Sequence, residues 1–240
     1  FALLLLGAGR PTVTTVPLPH GGLNRNYILV QPSGVVGESG RPLVVFLHGF
    51  TSSAQAFDRY LGIAAKAEQH GFVAAIPNGS GASSGWNAGF LDLTGRKSDD
   101  VGFLTKVIDD VESKTKIDRD RVFLFGHSNG AMMAHRFAAA TDGRIRAFCA
   151  VAGTTGVGRG SARQELSAPK QPVSALIMHS PTDKVVAFDE QSEALLKGDG
   201  ALTATKFWVK HNQCSSVSVD VKADQYTERR FILGNRSTEV

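Results

Sequence analysis

Five consecutive residues, Gly126-His127-Ser128-Asn129-Gly130, have the types and spacing of a turn built around a nucleophile. A serine hydroxyl attacks a carbonyl effectively only when it is exposed and when the oxyanion it creates is stabilised. In a G-x-S-x-G sequence the serine occupies a sharp turn between a strand and a helix. The glycines two positions to either side keep bulky side chains out of that crossing. The context fits, because "RVFLFG" (121–126) reads as the strand and residues 129–140 as the helix. The Asn129 N–H then opens the helix and faces the developing negative charge. The alternative is a structural turn serine.

A second oxyanion donor is expected from "PLVVFLHG" (42–49), a strand ending in His48-Gly49 that turns the Phe50 N–H toward the same point. Losing one such donor costs roughly 3 kcal/mol of transition-state stabilisation. His48 itself reads as a packed loop anchor, because it precedes the nucleophile whereas the base comes last in this architecture. Asp183, in "LIMHSPTDKVV", follows both the serine and a strand end, the position of a carboxylate that orients a catalytic imidazole. Its alternative is a turn-forming aspartate, with Asp189 and Glu190 as second choices for the acid. His179 reads as a brace for this loop.

The base is the difficulty. Seven histidines occur, at 20, 48, 70, 127, 135, 179 and 211, and only His211 follows Asp183. It lies in "FWVKHNQC", which reads as a helix end before the strand "SVSVDVK", whereas a triad histidine belongs in a loop after the last sheet strand. The expectation is that Ser128 has no histidine partner within residues 1–240 and that the imidazole lies beyond Val240.

Other chemistry is excluded or subordinate. No Cys or His cluster has zinc spacing, so no metal is expected. Cys149 reads as a small hydrophobe on a strand, and Cys149 and Cys214 are expected to be unpaired. Asp99 and Asp100 precede a helical stripe and read as capping and first-turn residues rather than an acid–base pair. Trp86 stands in a Gly- and Ser-rich segment (79–97) instead of a periodic element, so it is expected to border the acyl or alcohol pocket, or else to anchor the loop. The 26 basic and 22 acidic side chains are scattered, giving a formal +4 without a block suited to nucleic acid.

The elements that must position these residues are readable from periodicity. "NYILVQP" (26–32), residues 42–49 and "FVAAIPNG" (72–79) read as buried strands. Phe57, Leu61, Ala64 and Ala65 recur at helical spacing up to a stop at Gly71. Val101, Leu104, Ile108 and Val111 form another helical stripe. "AFCAVAG" (147–153) and "VSALIMHS" (173–180) are further strands. Strands alternating with helices imply a mostly parallel sheet with helices on both faces, and ligands bound beyond the carboxyl ends of the strands. "FALLLLGAG" at the start is too short to cross a bilayer, which needs about 20 residues. Residues 1–10 fit the end of a secretory signal, with 11–240 forming one domain that lacks its C-terminal end.

"PLVVFLHG", "GW" at 85–86, "DDVGFL" at 99–104, "RVFLFGHSNGAMMA", "AVAG" and "HSPTD" together resemble the polyhydroxybutyrate depolymerase and feruloyl esterase group of α/β-hydrolases. The resemblance runs in order from about residue 26 to the end. It implies an α/β-hydrolase fold and a secreted or periplasmic serine carboxylesterase without metal or organic cofactor. Ser128 would be the nucleophile, Asp183 the acid and Trp86 a residue near the substrate. The substrate would be an ester of hydroxyalkanoate, or of feruloyl or acetyl groups on polysaccharide. Three departures stand out: His179-Ser180-Pro181-Thr182 replaces a usual His-Gly-Thr, Asn212-Gln213-Cys214 stands where the group has Asn-Gly-Cys, and nothing matches the group's Gly-Gly-His-Thr-Trp-Pro segment. A prolyl-oligopeptidase-type peptidase, and a non-catalytic exported binding protein on the same scaffold, are the competing readings.

Overall fold

The structure, a computed structural model, describes residues 9–89, 98–156, 166–223, 226–232 and 240. Most of the apolar N-terminal run therefore lies outside the described residues, as does part of the 79–97 segment.

Seven strands form one sheet in the order β1 (Thr12–Pro17), β2 (Asn26–Gln31), β4 (Val73–Pro77), β3 (Arg41–Leu47), β5 (Ile117–His127), β6 (Ala147–Val151) and β7 (Ser174–Met178). β1 and β2 are antiparallel to their neighbours. From β4 to β7 every pairing is parallel. The central strands are buried on both faces, which is why β4, "VAAIP", is apolar without alternation. β8 (Ser215–Ala223) and β9 (Tyr226–Ile232) pair separately as an antiparallel ribbon. β1 is a departure from the sequence reading: five of its six residues are exposed and only Val16 is buried, so no apolar pattern marks it.

Helices cover both faces. α1 (Ala54–Leu61) and α2 (Ile63–His70) pack on one face over Ile28, Val30, Ala74 and Ile76. The single helix read from periodicity is thus two, broken where Gly62 takes a left-handed conformation at φ 64° and caps α1. The other face carries α3 (Asp100–Lys114), α4 (Asn129–Ala140) and α5 (Gly200–His211), whose Phe103, Phe137 and Trp208 join Leu43, Val45 and Leu47 in the larger core cluster. Deep in that cluster the His135 ring stacks on Trp208 and accepts its indole N–H at 2.8 Å.

The two acidic residues before α3 have separate tasks. Asp99 caps the helix, accepting the Gly102 N–H at 2.9 Å. Asp100 is buried and paired with the equally buried Arg25, and it also accepts the Asn87 N–H at 2.7 Å and the Ser98 hydroxyl at 2.8 Å. A buried ion pair holds only when its remaining hydrogen-bonding positions are filled. The free Asp100 oxygen is filled in this way and ties the segment around Trp86 to α3, whereas the Arg25 Nε is buried without a partner among the described residues. Cys149 and Cys214 are unpaired, and burial pushes the Cys149 thiol up to about 11. Among the described residues, no helix is long and apolar enough to cross a membrane, and no His, Cys, Asp or Glu group is placed to hold a metal ion.

Candidate active site

Ser128 is set at φ 54° and ψ −121°, a conformation that costs a non-glycine residue about 1–3 kcal/mol and is maintained only by its surroundings. The surroundings are specific. The Ser128 N–H donates to the Val151 carbonyl of β6 at 2.8 Å, and its carbonyl accepts the Met132 N–H at 3.0 Å to start α4. A Cβ on Gly126 would run into the backbone of Gly130 and Ala131. One on Gly130 would strike the carbonyls of Leu47 and His48. Both glycines are required because α4 crosses the ends of β5 and β3 at backbone contact.

The segment after β3 completes the turn. A Cβ on Gly49 would lie 3.2 Å from His127 Nδ1 and 3.4 Å from Ser128 Cβ, so this glycine brings the Phe50 backbone alongside the serine. Nearby amides are used: Thr51 donates to the Ser83 carbonyl, Ser52 to that of Gly49, and Ser128 to that of Val151. The amides of Phe50 and Asn129 have no partner among these bonds.

His48 holds this segment in place. The Gly79 N–H can only donate, so His48 Nε2 is the acceptor at 3.0 Å, and Nδ1 carries the proton it gives to the Gly49 carbonyl at 2.7 Å. Desolvation lowers its pKa, with the nearby Arg25 charge adding to the effect against the Gly49 hydrogen bond. Both nitrogens are engaged and the ring is wholly buried, so His48 is an anchor.

Trp86, expected to border the acyl or alcohol pocket or else to anchor its loop, does not line the cleft beside Ser128 described below. The side chain is fully buried in the larger core cluster, and its indole N–H donates to the His48 carbonyl at 2.9 Å. Its own N–H and carbonyl are gripped by the Asn129 side chain. The sequence marks Asn129 for its backbone alone; nothing in it signals this side-chain clamp across 43 positions.

Asp183 follows β7 on the same edge of the sheet. Its Oδ1 accepts the N–H groups of Val185 at 2.7 Å and Val186 at 3.0 Å, and its Oδ2 is 3.5 Å from His179 Nε2. His179 also donates to the Val186 carbonyl at 2.9 Å, so it braces the loop. The Asp183 charge reaches the elbow, where it raises the pKa of His127 against the larger lowering by desolvation.

All seven histidines are described, and none hydrogen-bonds to Ser128. His211 ends α5 with its ring 4.4 Å from that of Phe207. A cleft of about 250 Å³ opens beside Ser128, between Gly49 and Phe50, the α1 residues Phe57 and Tyr60, and His127. The approach of α1 to the elbow was not legible, because it depends on how the helix returns across the sheet.

Comparison with known proteins agrees with this fold. A family model described as alpha/beta hydrolase fold matches residues 42–205. NocK of Nocardia uniformis subsp. tsuyamanensis, whose name assigns it provisionally to the esterases, is 31% identical over 76% of this chain and 52% of its own length. The bifunctional acetylxylan esterase/xylanase XynS20E of Neocallimastix patriciarum is 27% identical over 73% of this chain and 24% of its own. The chain thus spans about half or less of these relatives. The crystal structure of native sOPH aligns with a TM-score of 0.62 at 20% identity, covering 91% of this chain and 80% of that one.

Proposed function

Because the chain belongs to the alpha/beta hydrolase fold family, we propose that it is a carboxylesterase in which Ser128 forms an acyl-enzyme. The observation that carries this reading is the strained backbone of Ser128, held between β5 and α4 near two amides that have no hydrogen-bond partner among the described residues. Strain of this kind persists where the surrounding structure over-determines it, and here it lifts one hydroxyl out of the sheet edge toward two donors. Ser128 Oγ attacks the ester carbonyl, and the oxyanion settles on the Phe50 and Asn129 N–H groups. The alcohol then leaves, and water releases the acid.

Asp183 takes the part of the acid that orients the general base. None of the seven histidines meets Ser128, so no general base stands beside it among these residues. Without a base, the oxyanion donors alone supply residual catalysis of about 10³ over water. Trp86 acts on the site through the His48 carbonyl and the Asn129 side chain rather than by touching substrate. The substrates are esters of acetyl, feruloyl or hydroxyalkanoate type, in keeping with the motif resemblance and with the acetylxylan esterase named among the relatives. This reading places the enzyme outside the cell or in the periplasm, where polymeric esters are met.

Hydrolysis of p-nitrophenyl acetate and butyrate, set against matching p-nitroanilides, tests the assignment. With imidazole supplied and its own background rate subtracted, esters are cleaved and anilides are not, and Ser128→Ala lowers the ester rate by about 10²-fold or more. Retention of most activity in Ser128→Ala would remove the nucleophile from the account.

A further inference from the structure

We propose that Arg25 and Asp100 are positioning residues for ester hydrolysis: their buried ion pair fixes both ends of the segment 78–87, which in turn holds His48 and Asn129 in place. This rests on the reading of Ser128 as nucleophile, because the segment backs the turn that carries it.

Connectivity is the first argument. Arg25 Nη2 donates to the Asn78 carbonyl at 3.0 Å, and Asp100 Oδ2 accepts the Asn87 N–H at 2.7 Å. Arg25 Nη1 and Asp100 Oδ1 join the two side chains, so one ion pair closes a ring around residues 78–87. Within that ring lie the contacts with the site. The Gly79 N–H donates to His48 Nε2 at 3.0 Å, and the Trp86 indole donates to the His48 carbonyl at 2.9 Å. The Asn129 side chain holds both polar backbone groups of Trp86. His48 stands two residues before Phe50, and Asn129 directly follows Ser128. Neither Arg25 nor Asp100 lines the cleft, so an effect of either on rate must pass through this segment.

Packing is the second argument. The guanidinium carbon of Arg25 lies 3.7 Å from the centre of the Phe103 ring and 5.7 Å from that of Trp86. Phe103 belongs to α3, so the helix that supplies Asp100 also fixes the direction of the arginine fork. The cation then attracts the Trp86 ring as an apolar side chain would not.

Cost is the third argument. The two side chains are 3% and 0% exposed, and the Arg25 Nε is buried without a partner among the described residues. Such a pair is a poor source of stability, because well-packed apolar residues of similar volume often do as well or better. Apolar residues cannot supply the directional bonds to Asn78 and Asn87. Position and stability can therefore be separated.

Arg25→Met combined with Asp100→Leu makes that separation, since removing one partner alone strands a buried charge. With imidazole supplied and its background rate subtracted, kcat for p-nitrophenyl acetate falls about tenfold or more, while KM and the urea midpoint stay near the parental values. In ¹⁵N-tryptophan NMR, solvent exchange of the Trp86 indole N–H accelerates by about tenfold or more, while that of Trp208, the second tryptophan, is unchanged. Trp208→Phe assigns the two signals. Arg25→Lys decides the matter if the double variant does not fold. It keeps a charge for Asp100 but cannot also reach Asn78, so kcat falls several-fold at unchanged KM. Parental kcat in either folded variant, or a raised KM in place of a lowered kcat, overturns the proposal. If the parent shows no Ser128-dependent hydrolysis, the acyl-enzyme reading falls by itself. The Trp86 exchange rate then still decides the positioning: acceleration supports it, and an unchanged rate overturns it.

Discussion

The Asn129 side chain clamps Trp86 at both ends of one residue, accepting its N–H at 2.7 Å and donating to its carbonyl at 3.1 Å. The residue after the candidate nucleophile therefore fixes the segment packed against the second oxyanion donor. A Cβ on Gly85, next to Trp86, would come within 2.9 Å of the Phe50 ring and 3.3 Å of Asn129 Oδ1. Phe50 and Asn129, the two proposed oxyanion donors, are linked through this contact.

Truncating the clamp should cost both stability and rate. Asn129→Ala leaves the Trp86 N–H buried without a partner, while the Trp86 carbonyl keeps the Ala88 N–H at 3.1 Å, a loss of about 1–3 kcal/mol. Asn129→Asp keeps the acceptor but sets a buried carboxylate oxygen against the Trp86 carbonyl, and lowers stability by at least as much. Urea denaturation of the three proteins checks the ranking, and equal midpoints would show that the clamp carries no energy.

Gly130→Ala tests the backbone crossing. The new methyl group meets the Leu47 and His48 carbonyls, so either β3 or the start of α4 must move. The expected cost is about 3 kcal/mol or more, together with loss of ester hydrolysis as Phe50 is displaced. Thermal melting that shifts by no more than a degree would contradict the close approach.

His135 should make the fold acid-sensitive. Burial pushes its pKa down to about 3, against about 6.5 in an unfolded chain. Between those values the unfolded chain binds a proton that the folded chain does not. The stabilising contribution is complete above pH 6.5 and is lost as pH falls toward 3, by up to about 1.4 kcal/mol per pH unit. His135→Gln retains an acceptor for the Trp208 indole and cannot titrate. Denaturation midpoints from pH 7 to pH 4 should fall more steeply in the parent than in this variant; parallel curves would contradict the assignment.

The parts of the site visible in the sequence are those where sterics or burial restrict residue type. Gly126 and Gly130 are visible because each faces backbone, and β3 to β7 because parallel strands are covered on both sides. β1 escapes notice because an edge strand with an exposed face need not be apolar. The break at Gly62 is masked by helical spacing that continues through it. Asp99 and Asp100 look alike in sequence, yet one caps α3 and the other meets Arg25 from 75 positions away. The cleft wall at Tyr60 likewise comes from tertiary packing, which no local pattern encodes.

Intact-protein mass spectrometry after fluorophosphonate treatment, with and without added imidazole, tests the central claim that Ser128 is a nucleophile lacking a base among the seven histidines. The account predicts one adduct per chain, mapped to Ser128 and absent from Ser128→Ala, forming slowly in buffer and markedly faster with imidazole supplied. An equal adduct in Ser128→Ala, or no adduct at Ser128 under either condition, would contradict it.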